Sequence, residues 1–413
     1  MSDERSRILI AGLGYIGLPT AALIARNQIK VSGFDINEHV VNTVNRGEIH
    51  IVEPGLGDLV QHVVSNGYLK ASTEPGKADV FMIAVPTPFT KNNEPDISFV
   101  EEVTSRFIPF LEEGNLFIIE STCPVGTTEK MTRLIFSERP ELEGKIYIAY
   151  CPERVLPGKV IDELENNDRV IGGIDQASSD IAAKFYALFV RGELHRTNAK
   201  TAEMCKLTEN SARDVSIAFA NELSIICDKA GINIWELIYL ANKHPRINIL
   251  QPGVGVGGHC IAVDPWFIVS EFPLESKIIR TAREINNYKP LWVMDRIKSV
   301  ILRYVELHGR KPRVALMGLA FKPDIDDLRE SPALYIANEM LHFDKAEVFY
   351  VEPNLPSDSP KLADFRSVLP VNEAYAVADI VVFLVAHREF RQLEIDDRKI
   401  ELDFCGVRNS LKA

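Results

Sequence analysis

Cys260 stands in the run Gly255-Val256-Gly257-Gly258-His259-Cys260-Ile261-Ala262-Val263-Asp264-Pro265, where residue types and spacing suggest covalent chemistry. Glycines just ahead of a thiol let backbone approach closely and leave the sulfur unshielded, and Asp264, four residues on, is spaced to serve beside it as a base. Spacing alone leaves a buried, inert cysteine equally open. Lys206 and Asn210 lie four apart on a predicted helix, with Arg213 near one further turn along the same face. That face would offer a cation and an amide to a developing oxyanion; a solvated helix stripe is the plainer alternative. His244 and His259 add no tetrahedral ligand spacing to Cys260, so no metal is expected.

A second constellation is Gly12-Leu13-Gly14-Tyr15-Ile16-Gly17, a full GxGxxG between a predicted strand over 7–11 and a predicted helix over 18–27. Gly12 permits the tight turn, Gly14 lets backbone approach a pyrophosphate, and Gly17 allows close helix packing, with the helix N-terminus facing the phosphates. Asp35 ends the next predicted strand, where its carboxylate can accept from an adenosine ribose. With that negative charge and no arginine directly after it, NAD is expected rather than NADP. A nucleophilic thiol working beside a hydride acceptor suggests capture of an aldehyde.

These residues need a scaffold. Further strand candidates at 80–85, 116–120 and 146–150 continue an alternation of strands and helices that predicts a parallel, doubly wound sheet. From 201 to 230 there is no Gly or Pro, so one long helix is expected, stopped by Gly231; helical patterns resume at 234–241 and 277–307. A third block opens at Arg313 and repeats the grammar of the first: RILIAGLGYIG against RVALMGLAFKP, Phe34-Asp35-Ile36-Asn37 against Val351-Glu352-Pro353-Asn354, Ala78-Asp79-Val80 against Ala378-Asp379-Ile380. The expected fold is α/β, with two Rossmann-like doubly wound domains (1–200 and 309–413) joined by an all-helical dimerisation domain (201–308) with a long central helix. Gly318-Leu319-Ala320 lacks the later glycines, so no second dinucleotide is expected there, although another nucleotide could sit there. The apolar stripe Ile217, Phe219, Ala220, Leu223 and Ile226 calls for a partner surface, and a symmetric homodimer, or two such dimers paired into a tetramer, meets that need.

Composition narrows the classes further. The 413 residues suit two or three domains, and 46 Lys plus Arg against 58 Asp plus Glu give a net charge of -12, which argues against nucleic-acid partners. Six scattered cysteines without a CxxC pair suggest reduced thiols and a cytoplasmic enzyme. The apolar stretch 8–25 is broken by Gly12, Gly14, Gly17 and Pro19 and follows Asp3 and Glu4, so it is read as strand, turn and helix rather than a leader or membrane segment. A two-electron hydroxy-acid dehydrogenase would share the first domain and a helical dimer domain but has no use for Cys260. A silent nucleotide sensor would keep both folds and dispense with Cys260 and Lys206.

The ordered set GLGYIGLP (12–19), VPTP (85–88), ESTCPVGTTEK (120–130), YCPERVLPG (150–158), AEMCKLTEN (202–210), GVGGHCIAVDP (255–265) and GLAFKPDIDDLRESPA (318–333) resembles the UDP-glucose/GDP-mannose dehydrogenase family of UDP-sugar 6-dehydrogenases over essentially the whole chain. IHIVEP (49–54) and HPRINILQPG (244–253) resemble the branch acting on UDP-N-acetylhexosamines. Val263 stands where the UDP-glucose branch typically has Lys. No motif reads the configuration at C2 of the sugar. The resemblance implies two successive hydride transfers from C6 to NAD, with a thiohemiacetal and then a thioester on Cys260. It implies that Lys206 and Asn210 stabilise oxyanions, that Asp264 assists the thiol, and that Glu153 and Thr122 help hydrolysis. It implies substrate contacts at Arg154, Val155, Lys206, Asn210, Arg213, His244, Arg246, Gly257, Phe321, Lys322 and Arg408, with Arg246 reaching a neighbouring subunit's pocket. Cofactor contacts are implied at Tyr15, Ile16, Asp35, Thr87, Thr128 and Arg329. Cys123 and Cys151 are expected to be spectators.

Overall fold

Among the described residues there are twelve strands, most of them short apolar runs bounded by turn-formers: β1 Arg7–Ala11, β2 Lys30–Phe34, β3 Leu69–Ser72, β4 Val80–Ile83, β5 Leu116–Ile119, β6 Tyr147–Tyr150, β7 Arg169–Gly173, β8 Leu194–Asn198, β9 Arg313–Met317, β10 Glu347–Val351, β11 Ile380–Phe383 and β12 Ile400–Asp403. This is a computed structural model, and it describes residues 7–90, 93–156, 158–258 and 260–409; His259 lies outside them. One sheet has the order β3-β2-β1-β4-β5-β6-β7-β8, the other β10-β9-β11-β12. All pairings are parallel except β6 with β7. That reversal is not visible in the apolar pattern, because a buried strand reads alike in either direction.

The internal repeat is present in matching backbone bonds. Gly12 N–H donates to Phe34 O at 2.8 Å, and Gly318 N–H to Val351 O at 2.8 Å. Asp79 accepts from Arg7 N–H at 2.6 Å through its carboxylate, and Asp379 from Arg313 N–H at 2.9 Å. Thus β9, β10, β11 and β12 correspond to β1, β2, β4 and β5. Apolar faces of each sheet are covered by helices and form the cores.

The chain divides into two compact units: residues up to Glu209 with Trp266–Phe272, and Asn210–Pro265 with the chain from Pro273 onward. Residues 201–308 fall in both units. The first long helix, Ala199–Ala230, starts two residues earlier than expected, where Asn198 Oδ1 accepts from Thr201 N–H at 2.9 Å, and its residues are shared between both units. Gly231, with φ +67, ends it. The second long helix, Lys277–His308, runs through Pro290 and shares the core of the second sheet through Val293, Ile297 and Ile301.

Within the second unit the two long helices are joined by buried polar side chains. Arg283 Nη1 bonds Asp214 Oδ1 at 2.6 Å, Asn286 donates to Asp214 at 2.8 Å, and Asn221 donates to Asn286 at 2.9 Å. Asn221 Oδ1 also accepts from Gly253 N–H at 2.9 Å, which ties this ladder to the loop that leads to Cys260. Among the described residues, no helix is long and apolar enough to cross a membrane.

Candidate active site

The first unit carries the dinucleotide turn. Gly12 has φ +86, and a Cβ there would lie 2.6 Å from Ala84 O; at Gly17 it would lie 1.7 Å from Gly12 O. Both positions therefore demand glycine. At Gly14 a Cβ would meet nothing within 4 Å, so the backbone faces open space. Asp35 Oδ2 accepts from Leu13 N–H at 2.9 Å and Oδ1 from Asn37 N–H at 2.9 Å, which fixes its carboxylate at the end of β2 beside the turn. Open backbone, a helix N-terminus at Gly17 and an anchored carboxylate together fit NAD. Tyr15 is exposed and Ile16 half-buried at the mouth of this turn. Thr87 Oγ1 donates to Thr122 O at 2.5 Å, joining the loops after β4 and β5.

Also in the first unit, Lys206 is buried and its Nζ donates to the Glu153 main-chain oxygen at 2.8 Å. The Glu153 carboxylate folds back to accept from Val155 N–H. Arg154 grips Glu209 with two bonds, at 3.1 and 2.7 Å. Thr128 is fully buried, with its hydroxyl donating to Glu203 at 2.7 Å, so its expected contact with cofactor meets a side chain already committed inside the protein. Glu203 was invisible as a functional residue in the sequence: it also accepts from Thr128 N–H at 2.8 Å and Gly126 N–H at 2.6 Å, capping the helix Thr127–Glu138. Burial pushes its carboxyl pKa up, against those hydrogen bonds.

A second unforeseen cluster lies in the same unit. Glu120, Arg169 and Tyr186 are fully or nearly fully buried, and Glu120 Oε1 accepts from Arg169 at 3.1 Å and from Tyr186 OH at 2.6 Å. Cys123 and Cys151 are fully buried, and burial pushes both thiols up.

The second unit carries the thiol. Cys260 is exposed, in a turn closed by Val263 N–H and Asp264 N–H donating to its carbonyl at 3.1 and 2.9 Å, just ahead of the helix Asp264–Glu271. The exposed setting answers the alternative of an inert, buried cysteine. Asp264 is buried and accepts from Asn210 Nδ2 at 2.5 Å, so two of the expected residues meet directly. The glycines before Cys260 lie against the segment 321–332: a Cβ on Gly257 would be 2.3 Å from Glu330 O and 2.9 Å from Phe321 Cβ, and one on Gly258 would be 3.1 Å from the Phe321 ring. Close approach, rather than turn geometry alone, explains Gly257.

The other expected substrate residues of this unit are more dispersed. Lys322 lies over the Phe321 ring at 5.9 Å. Arg408 is bonded to Glu401 at 2.7 and 2.8 Å and to Leu393 O at 2.6 Å, and Arg329 to Asp327 at 2.6 Å. Arg213, His244 and Arg246 are exposed. Two groups of three metal-capable side chains occur among the described residues, Asp168/Glu193/His195 and Asp324/His387/Glu389; neither contains Cys260 or His244.

Three family models match in succession: the UDP-glucose/GDP-mannose dehydrogenase family NAD binding domain over residues 6–190, the central domain of that family over 200–288, and its UDP binding domain over 315–406. UDP-N-acetyl-D-mannosamine dehydrogenase of Escherichia coli K12 is 53% identical, over 97% of this chain and 98% of its own. NDP-N-acetyl-D-galactosaminuronic acid dehydrogenase of Ralstonia nicotianae is also 53% identical, over 97% and 96%. Among solved structures, UDP-D-ManNAc dehydrogenase from Pyrococcus horikoshii superposes with a TM-score of 0.85 at 36% identity, covering 97% of this chain and 96% of that one.

Proposed function

The chain belongs to the UDP-glucose/GDP-mannose dehydrogenase family, as an NAD-dependent UDP-sugar dehydrogenase, and from that premise we propose that it oxidises C6 of UDP-N-acetyl-D-mannosamine to the uronate, a precursor for surface polysaccharide. The observation that carries the reading is the exposed Cys260, set between glycines packed on Phe321 and a buried Asp264 anchored by Asn210.

Gly12–Gly17, Asp35, Tyr15, Ile16, Thr87 and Arg329 would hold NAD, which would supply the two-electron acceptor for each of two oxidations. Taking one carbon from alcohol to acid requires that the intermediate aldehyde stay bound. The Cys260 sulfur adds to the C6 carbonyl carbon, and the oxygen takes up a proton, giving a thiohemiacetal. Its oxidation gives a thioester; water then adds, the C–S bond breaks, and the uronate leaves as the thiol regains its proton. Asp264 takes the thiol proton, Lys206 and Asn210 face the oxyanions, and Glu153 with Thr122 orient the water. Phe321, Lys322, Arg408, Arg154, Val155, Arg213, His244 and Gly257 hold the UDP-sugar, and Arg246 reaches a neighbouring subunit. The three-domain reading of 1–200, 201–308 and 309–413 assigns cofactor, catalysis with dimerisation, and UDP binding in turn. The dimer face is the side of the first long helix that exposes Phe219 (52%) and Ile226 (54%), beside Ile278 (72%).

The test offers the UDP derivatives of N-acetylmannosamine, N-acetylglucosamine, N-acetylgalactosamine and glucose separately with NAD and counts NADH per sugar. Two NADH per UDP-N-acetylmannosamine are expected, and none with Cys260→Ala; a count of one would refute the thioester route. Preference for the N-acetylgalactosamine derivative would move the substrate toward that named for the Ralstonia relative.

A further inference from the structure

The second Rossmann-like turn is closed to a pyrophosphate by its own protein. Glu352 occupies the place that Asp35 holds in the first, but one methylene longer, and its Oε2 accepts from both Leu319 N–H at 2.8 Å and Ala320 N–H at 2.9 Å. Leu319 N–H is held as Leu13 N–H is by Asp35, but Ala320 N–H stands where the first turn leaves the Gly14 backbone open to an anion. On the reading above, the UDP diphosphate is met further along, at Phe321 and Lys322. That stretch ends at Asp324, a non-glycine residue with φ +60, a conformation that needs outside support.

His387 supplies the support. It is fully buried, and its Nδ1 accepts from Asp324 N–H at 3.0 Å, while Asp324 Oδ1 accepts from Arg388 N–H at 3.0 Å. Asn354 Nδ2 lies 3.0 Å from the same Nδ1. An imidazole that accepts at Nδ1 carries its hydrogen on Nε2, which lies 3.3 Å from Glu352 Oε2. The ring is thus bonded to the residue that ends the Phe321–Asp324 segment and packed beside the carboxylate that fills the turn, with no hydrogen bond from Nε2 to that carboxylate. Phe321 N–H donates to Asp327 O at 3.1 Å on the other side.

We propose that His387, through its Nδ1 bond to Asp324 N–H, is the positioning residue that holds Phe321 to Asp324 in the conformation that receives the UDP diphosphate. The proposal rests on the reading above that UDP binds at Phe321 and Lys322. Neither residue touches ligand: Glu352 keeps the diphosphate off the first amides and His387 aims the next ones.

The test is UDP and NAD binding by calorimetry to the full-length protein. His387→Ala is expected to weaken UDP about tenfold and leave NAD affinity unchanged. His387→Asn, whose amide oxygen stands near Nδ1, restores UDP binding. His387→Gln, which reaches toward Glu352 and leaves the Asp324 amide unpaired, does not. Asp324→Gly in the His387→Ala background recovers affinity, since glycine adopts φ +60 unaided. Unchanged UDP affinity in His387→Ala, or equal behaviour of the Asn and Gln variants, overturns the proposal. Lys322→Ala separates the two levels. A loss there with none at His387 overturns the positioning role alone; no loss at Lys322 overturns the UDP site and the positioning role with it.

Discussion

Lys289 is 1% exposed between the two long helices, its Nζ donating to Ser224 Oγ at 2.5 Å and lying 4.0 Å from the Trp292 ring centroid. Burial brings its pKa down from the ordinary 10.5 to about 7, against the pull of Asp228. A base whose folded value is depressed destabilises the fold wherever both states hold the proton, below about pH 7. Stability then rises with pH while the native lysine is neutral and the unfolded one still charged, between about 7 and 10.5. The slope is about 1.4 kcal/mol per pH unit, and from about pH 6.5 to about pH 9 it sums to about 2.5 kcal/mol. Lys289→Met removes the titration without orphaning Ser224, which still donates to Asn221 O at 2.6 Å, and keeps an apolar stem beside Trp292. Urea unfolding at fixed protein concentration, followed by tryptophan fluorescence, should show the wild type gaining about 2.5 kcal/mol on the variant across that range. A difference that stays constant with pH would refute the reasoning.

Glu203→Ala should lower the unfolding free energy of the first unit by about 3 kcal/mol, because three hydrogen bonds to one carboxylate are lost at once; calorimetric melting checks this, and a loss below about 1 kcal/mol would contradict it. Cys123→Ser should retain NADH production, and iodoacetamide should label Cys260 first in the native protein, since Cys123 is fully buried and its thiol is pushed up. Phe219→Glu should give a monomer in sedimentation; a dimer that survives it would place the interface elsewhere.

What the sequence made legible was local. Gly12, Gly17 and Gly257 could be assigned from spacing because each answers to a neighbouring turn or a close backbone. The repeat showed because strand, turn and acidic residue recur within about forty residues in each half. What it hid is bonded across long separations: Glu203 caps a helix 75 residues away, Glu53 accepts from Gly158 and Val160, and Glu120 meets Arg169. No periodicity marks such a carboxylate as buried rather than solvated. The alignment of Phe34-Asp35-Ile36-Asn37 with Val351-Glu352-Pro353-Asn354 did contain a signal for Glu352, and only the side-chain length was left uninterpreted. Where a long helix packs was hidden for another reason: a 32-residue helix can serve two cores, and apolar periodicity does not say which.

That one methylene yields the sharpest contrast between the halves. Asp35 accepts from Leu13 N–H and leaves the backbone at Gly14 facing open space, whereas Glu352 reaches two successive amides of the equivalent turn. If carboxylate length decides which turn accepts a pyrophosphate, Asp35→Glu should carry its charge onto the amides of Leu13 and Gly14 and close the cofactor site from within. Asp35→Asn keeps the shorter reach and gives up only the charge offered to the ribose. The expected loss of NAD affinity is about 100-fold for Glu and about tenfold for Asn, with UDP affinity unaffected in both. Calorimetric titration with NAD measures it, and an Asp35→Glu variant that binds NAD as well as Asp35→Asn would show that the two turns differ for some reason other than the length of this side chain.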